Sequence, residues 1–361
     1  MNDLAGSGVE VLCNTMAIDM QPDKTIMAIN KTDGVVYIHP KAVILTMGCR
    51  ERTRGALNIP GDRAAGIFPA GLSQRIVNME GYMPAKSVVI LGSGDIGMIM
   101  ARRLTLEGVE VKAVVEVLPY AAGLIRNRVQ CLEDYGIPLY LSHTVTHIHG
   151  KKRVYGVTVS QVDAKWRPMK GTEFYLECDT VLFSVGLIPE NELSQKAGVV
   201  LAPLGGPVVN EYCETSVPGI FAAGNVLQVH DLVDWVSLES QRAGKNAAEY
   251  VKNGGWAGTP QRIKVTAGDN VGYVIPHFID YLEEGTQVQF SFRPRSPEKD
   301  METHIESGEN LLLKRKHQHI IPSEMINIIT KIDPASIVEN EIKVGIVKQA
   351  EKESEEEACE E

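Results

Sequence analysis

An α/β fold built on a parallel sheet is what this sequence predicts, on three observations. The apolar run Val88-Val89-Ile90-Leu91 enters a glycine-rich turn, Gly92-Ser93-Gly94-Asp95-Ile96-Gly97. Met98 to Leu106 then carries helical patterning, and Val109 to Glu116 reads as a second strand that ends on an acid. Beyond it, helix and strand patterns keep alternating, which points to βαβ units.

Strand, Gly-x-Gly-x-x-Gly, helix, strand and terminal acid is the order a dinucleotide site requires. Gly92 allows the tight turn, Gly94 lets the backbone approach a pyrophosphate, and Gly97 lets the helix pack on the strand. Asp95 and Ile96 open the helix and offer backbone N–H groups, with the helix dipole, to an anion. Glu116 stands 19 residues beyond Gly97, where an acid takes the ribose hydroxyls of NAD. Hydrogen bonding together with repulsion of the 2′-phosphate of NADP predicts a preference for NAD on the order of a hundredfold. A tight strand–helix turn without a ligand would leave unexplained why Glu116 ends an otherwise apolar strand.

The 361 residues suggest two or three domains, and 44% hydrophobic with 23% charged residues is ordinary for a globular chain. The net charge of −10 is concentrated at the end, where residues 351–361 hold seven Glu and one Lys. That segment is expected to be a solvated, disordered acidic tail, the alternative being a docking tail. No basic stripe is interleaved with aromatics, which argues against nucleic-acid binding. No apolar run approaches membrane-spanning length and no basic-then-apolar leader opens the chain, so no integral membrane segment and a cytoplasmic location are expected. The six cysteines, at 13, 49, 131, 178, 213 and 359, form no Cys-x-x-Cys and no His/Cys cluster at metal spacing. Buried thiols in a reducing compartment, and no metal site, are the expectation. His147 and His149 alternate on a strand-like stretch with no further ligand nearby, which does not make a metal site either.

Along the chain, Val9–Ile18, Thr25–Ile29 and Val35–Leu45 read as strands, and residues 69–80 as a helix ending at Gly81. The βαβ unit occupies residues 87–117. A helix over 123–135, the strand Ile137–Leu141, a hairpin around His147–Val159 and a strand at Thr180–Ser184 complete one dinucleotide-binding domain, residues 82–185. Short strands at Pro207–Val209 and Gly219–Ala223 precede a long helix from Val236 to Val251. After Asn253-Gly254-Gly255 the pattern changes to β-type runs, such as Gln287–Phe292, Asn310–Lys314 and Glu341–Val347. Residues 260–350 are therefore expected to form a separate β-rich module.

Three further motifs occur in a fixed order: Ala42-Val43-Ile44-Leu45-Thr46-Met47-Gly48, Val181-Leu182-Phe183-Ser184-Val185-Gly186-Leu187-Ile188-Pro189, and Gly219-Ile220-Phe221-Ala222-Ala223-Gly224-Asn225-Val226. With the glycine-rich turn, the set resembles the two-dinucleotide-domain flavoproteins of the pyridine nucleotide–disulfide oxidoreductase superfamily, over residues 1–255. The strings Gly48-Cys49-Arg50-Glu51-Arg52-Thr53-Arg54-Gly55 and Asn225-Val226-Leu227-Gln228-Val229-His230-Asp231-Leu232-Val233-Asp234 look like a narrower group. These are the FAD/NAD subunits that accompany anaerobic glycerol-3-phosphate dehydrogenase and the opine, sarcosine and proline dehydrogenases. The stretch Ile320-Ile321-Pro322-Ser323-Glu324-Met325 is similar to the C-terminal module of that group.

The resemblance implies a Rossmann-like α/β flavoprotein with a small C-terminal β-rich module and with FAD and NAD as cofactors. It implies an oxidoreductase subunit that passes a hydride or electrons between NAD(H) and a partner flavoprotein dehydrogenase. A homo-oligomer is the other assembly expected. It divides the FAD domain between residues 1–81 and 186–255, around the NAD domain. Gly92, Gly94, Asp95, Ile96, Gly97 and Glu116 would hold NAD, with Gly186 beside the nicotinamide. Thr46, Gly48, Gly224, Asn225 and Val226 would hold FAD. The family has Asp where this chain has Asn225, and an amide still donates and accepts hydrogen bonds to ribityl hydroxyls. The family's first Gly-x-Gly-x-x-Gly, which binds the FAD pyrophosphate, has no counterpart after Met1, since Gly6-Ser7-Gly8 has neither a strand before it nor a helix after it. An incomplete FAD domain is therefore expected, with NAD retained and little FAD. A non-catalytic NAD-binding scaffold or sensor, or a truncated remnant, are the alternatives. No acid–base triad is evident. His230 and Asp231 could meet the flavin or a partner, or serve as ordinary packed side chains. Arg50, Arg52 and Arg54 could meet a phosphate or a partner, or form a solvated loop.

Overall fold

The computed structural model describes residues 6–349. The acidic tail and Cys359 lie outside the described residues. The chain divides into two compact units: Arg50–Ile188 forms one, and the described residues before and after it form the other.

The Arg50–Ile188 unit is organised by a five-stranded parallel sheet. Its order is Ile67–Pro69, Thr180–Phe183, Ser87–Leu91, Glu110–Glu116, Leu139–Leu141. The central strands are apolar on both faces because helices cover one face and a second sheet the other. Helix Asp95–Leu106 buries Met98, Ala101 and Leu104 against Val88, Ile90 and Val114. The opposite face, with Val89, Leu91, Val115 and Phe183, packs on an antiparallel sheet of His143–His149, Gly156–Gln161 and Phe174–Glu177. The helix expected over 123–135 is shorter: Ile125–Cys131 is α-helical and Glu133–Tyr135 is a 3-10 turn ended by left-handed Gly136. Residues 50–81, expected with the flavin domain, belong to this unit, because Ile67–Pro69 pairs with Thr180–Phe183 and helix Ala70–Asn78 follows it.

The second unit contains a parallel pair, Val43–Leu45 with Ile220–Ala222. Around it lie an antiparallel sheet of Met16–Met20, Ile26–Asn30 and Gly34–Ile38, and the long helix Val233–Asn253. The strand expected over Val9–Ile18 begins only at Met16; Val9, Val11 and Leu12 are exposed and unpaired with a sheet. Pro207–Val209 makes isolated bridges rather than a strand. The C-terminal region is β-rich, as its pattern indicates. A five-stranded sheet runs Phe278–Ile279, Ile263–Ala267, Glu341–Lys348, Glu298–Ser307, Asn310–Ile320, and a three-stranded sheet runs Val271–Ile275, Gln287–Pro294, Ile326–Lys331. These enclose their own core around Phe290, Phe292, Ile305 and Val344.

Buried polar contacts join this region to the rest of its unit. Glu211 accepts hydrogen bonds from the N–H groups of Asp280 (2.8 Å) and Tyr281 (2.7 Å). Arg293 donates to the carbonyls of Val229, Pro322 and Ser323 and pairs with Asp231 at 3.2 Å. Among the described residues, no helix is long and apolar enough to cross a membrane.

Candidate functional site

The glycine-rich turn sits at the carboxyl end of the central strand, where open α/β sheets bind ligands. Gly92 adopts φ +97°, and a Cβ there would overlap the carbonyl oxygen of Ser184 on the neighbouring strand. At Gly97 a Cβ would lie 2.6 Å from the Ser184 Cβ. Both positions therefore require glycine, and the helix is drawn tight against the end of Thr180–Phe183. Ser184 completes this contact, its Oγ accepting the Gly97 N–H at 3.0 Å. Gly94 is the N-cap of helix Asp95–Leu106. The N–H groups of Gly94, Asp95 and Ile96 find no hydrogen-bond partner among the described residues, so three donors and the positive helix end remain for an anion.

Around these donors the turn is held by side chains. Asp95 accepts from the Leu124 N–H (2.9 Å) and from Asn127 Nδ2 (2.7 Å), tying the start of one helix to the next. Glu116 is 4% exposed and turns inward. Its Oε2 accepts from the Ser93 N–H (2.8 Å) and Ser93 Oγ (2.7 Å), and its Oε1 from the Leu118 N–H (3.0 Å). Tyr120 lies nearby, its hydroxyl pushed up by burial and by the Glu116 charge. Gly186, at φ +95°, accepts the Arg52 N–H through its carbonyl. These donors, a close backbone approach and an acid at the strand end fit a pyridine nucleotide.

The second set gathers at the carboxyl ends of Val43–Leu45 and Ile220–Ala222. Thr46 and Gly48 follow the first strand; Gly224, Asn225 and Val226 form a 3-10 turn after the second. Helix Val233–Asn253 supplies Glu239, 2% exposed, which anchors that turn. It accepts from the Gly224 N–H (2.7 Å) and Gln228 Nε2 (2.7 Å), and His230 Nε2 lies 3.1 Å away. Asn225 Oδ1 accepts the His230 N–H at 3.0 Å, and Nδ2 points toward Cys49 Sγ at 3.5 Å. The Val226 side chain is buried in the core and its carbonyl accepts from Asn191 Nδ2. The half-exposed amide of Asn225, beside two open strand ends, fits a hydroxylated cofactor chain such as the ribityl group of FAD. His230 and Asp231 are packed side chains, engaged by Glu239 and Arg293 respectively.

Several other candidates have structural partners. Arg54 donates to the carbonyls of Ile59, Gly61 and Asp62, closing the loop after it. Glu51 accepts from the N–H groups of Gly71 and Leu72 at the start of a helix. The His147 and His149 rings lie 4.5 Å apart, and His149 Nε2 is 2.8 Å from Thr158 Oγ1. Burial and the neighbouring His147 lower the His149 pKa. No metal-binding cluster occurs among the described residues. Cys131, Cys178 and Cys213 are buried, whereas Cys49 is half-buried and Cys13 is exposed, contrary to the expectation of uniformly buried thiols. Burial raises the Cys178 thiol to about 11. The sequence reading missed Ser93, Ser184 and Glu239. Ser184 had a signal in its place at the end of a strand motif; Ser93 and Glu239 act through partners far along the chain.

A family model for pyridine nucleotide-disulphide oxidoreductases matches residues 2–253. The small chain of glutamate synthase [NADPH] from Mycobacterium tuberculosis is 27% identical over 216 residues, covering 53% of this chain and 43% of that protein. An NADH oxidase from Methanocaldococcus jannaschii is 32% identical over 157 residues, covering 41% of this chain and 31% of the other. This chain thus spans under half the length of these curated relatives. Among solved structures, thioredoxin reductase from T. acidophilum superposes with a TM-score of 0.56 at 24% identity, covering 70% of this chain and 78% of that one. That likeness establishes the flavoprotein-type α/β fold. With its glycine turn, its strand-end motifs and a family match over more than half its length, the chain belongs to the pyridine nucleotide-disulphide oxidoreductase family.

Proposed function

We propose that this chain is an FAD- and NAD-dependent oxidoreductase subunit that passes a hydride or electrons between NAD(H) and a partner flavoprotein dehydrogenase of the glycerol-3-phosphate, amino-acid or opine type. The observation that carries the reading is the set of unspent N–H groups of Gly94, Asp95 and Ile96, above a glycine turn backed by buried Glu116. Gly92 and Gly97 keep the turn close to the sheet, and Gly186 borders it. Thr46, Gly48, Gly224, Asn225 and Val226 hold FAD through backbone groups and the Asn225 amide. When bound, the two cofactors supply the hydride chemistry; the chain positions them and excludes water. On this reading the FAD-binding parts lie before residue 50 and in residues 186–255, the NAD domain at 82–185 shares its compact unit with residues 50–81, and a partner-facing module follows at 260–350. The buried Cys131, Cys178 and Cys213, none of them in a disulfide, suit a reducing, cytoplasmic setting.

A second reading is a non-catalytic NAD-binding scaffold or sensor. It is favoured by the turn at Gly224 and Asn225, where the Gly224 N–H and Asn225 Oδ1 are already bonded within the chain. Purification and an absorbance spectrum, followed by NADH-dependent dye reduction with FAD added, separate the two. Bound flavin with turnover supports the enzyme reading. NADH binding without flavin or turnover, even with the partner subunit added, rejects it in favour of the scaffold.

A further inference from the structure

We infer that Ser93 sets the strength of the NAD-over-NADP preference, by occupying one oxygen of Glu116. The proposal rests on the reading of this turn as a pyridine-nucleotide site. A carboxylate oxygen has two lone pairs, and hydroxyl pairs such as those of a ribose are held best by two free acceptors. Glu116 Oε2 already receives two donors from one residue, the Ser93 N–H at 2.8 Å and the Ser93 hydroxyl at 2.7 Å. Oε1 receives one, the Leu118 N–H at 3.0 Å. One acceptor site therefore remains, on Oε1, and the carboxylate offers the ribose a single hydrogen bond rather than a pair.

The Ser93 hydroxyl cannot readily turn away. It is fully buried, and its oxygen accepts the Ala122 N–H at 2.8 Å while its proton goes to Glu116. The Ser93 carbonyl accepts the Gly123 N–H at 3.0 Å. The residue thus holds both the acid and the loop after the second strand. It is a positioning residue that acts through Glu116. Its chain of bonds leaves charge repulsion of the 2′-phosphate intact but removes half of the hydrogen-bonding term. The expected preference of the unmodified chain for NADH is about tenfold rather than a hundredfold.

Substitution of Ser93 separates this role from a packing role. S93A keeps the backbone N–H to Oε2 and removes the hydroxyl, which frees one acceptor site. S93C keeps nearly the same shape with a much weaker donor. Dissociation constants for NADH and NADPH, measured by nucleotide fluorescence on the full chain, give the readout as a ratio. The NADH:NADPH preference should rise about tenfold in S93A and by a smaller factor in the same direction in S93C. A purely structural role would weaken both nucleotides together and leave the ratio unchanged; that result in S93C, with its fold verified by circular dichroism, overturns the proposal. If the unmodified chain binds neither nucleotide, the site assignment itself falls, and this proposal with it.

Discussion

Glu211 makes the stability of this protein depend on pH in an unusual direction. Its carboxylate is 8% exposed, and burial, opposed by its backbone hydrogen bonds and reinforced by the nearby Asp280, raises its pKa to about 7. In the unfolded chain it titrates near the ordinary glutamate value of 4.5. The folded state therefore holds the proton more tightly. The stabilisation is complete below pH 4.5 and is lost as pH rises toward and through 7. At about 1.4 kcal/mol per pKa unit, the change between pH 5 and pH 8 is about 2–3 kcal/mol, or roughly 5–10 °C in melting temperature for a unit of this size. Glu214, also raised by burial, adds to the slope, and His277, lowered by burial, opposes it below about pH 6.5. The comparison with Glu211→Gln cancels both. Gln cannot ionise, and one of the two N–H groups of Asp280 and Tyr281 loses its acceptor. The variant should be less stable by about 1–3 kcal/mol at pH 5 and should close that gap, or overtake, by pH 8. Thermal unfolding followed by circular dichroism at unit steps of pH measures this. Parallel curves for the two proteins would refute the reasoning, since they would mean that Glu211 titrates alike in the folded and unfolded chain.

Other substitutions test the sites directly. Gly92→Ala places a Cβ into the Ser184 carbonyl at a positive φ; it should abolish NADH binding and lower the melting temperature, both readable in one fluorescence titration and one melt. Glu239→Ala leaves the Gly224 N–H and Gln228 Nε2 without their acceptor and should cost about 3 kcal/mol, measured by urea unfolding. Arg293→Met strips Asp231 of its cation in a partly buried pair; a loss of about 1–3 kcal/mol is expected, and an unchanged urea midpoint would count against that pair. Asn225→Asp keeps the acceptor for the His230 N–H and should leave stability within about 1 kcal/mol of the unmodified protein, while flavin absorbance after incubation with FAD reports whether the acid improves retention.

What could be read from the sequence was what depends on neighbours in the chain. The strand into Gly92, the helix from Asp95 and the acid at Glu116 are spaced by local geometry, and the fold places each as the pattern requires. Val9–Ile18 misled because its apolar residues suggest a buried strand, yet Val9 and Val11 face solvent. Glu298–Ser307 was missed for the opposite reason: its polar and charged residues hide a strand whose Met301 and Ile305 enter the apolar core while Glu302, Thr303 and Ser307 are buried as well. The inward turn of Glu116 could not be anticipated, because Ser93 is an ordinary choice in a glycine-rich turn and its bond spans 23 positions. Glu211 and Glu239 stand in no motif of the sequence; only the fold brings them to donors from distant segments.

The Arg50–Ile188 unit interrupts the other one, and its two ends are fastened together by the Arg52 N–H on the Gly186 carbonyl at 3.0 Å. The interrupted unit is closed in the same way, by the Glu190 N–H on the Gly48 carbonyl at 3.0 Å. Once folded, the inserted unit is a short clasp in the loop that joins Leu45 to Ile220. The slack that must be closed to pair those strands falls about fivefold, worth roughly 1 kcal/mol in loop entropy. Folding of the inserted unit thus favours the strand pair by shortening the chain that must be closed. A lesion such as Gly92→Ala should accordingly speed amide exchange at Ile220–Ala222, and unchanged exchange there in a variant whose insert is unfolded would show that the clasp carries no weight.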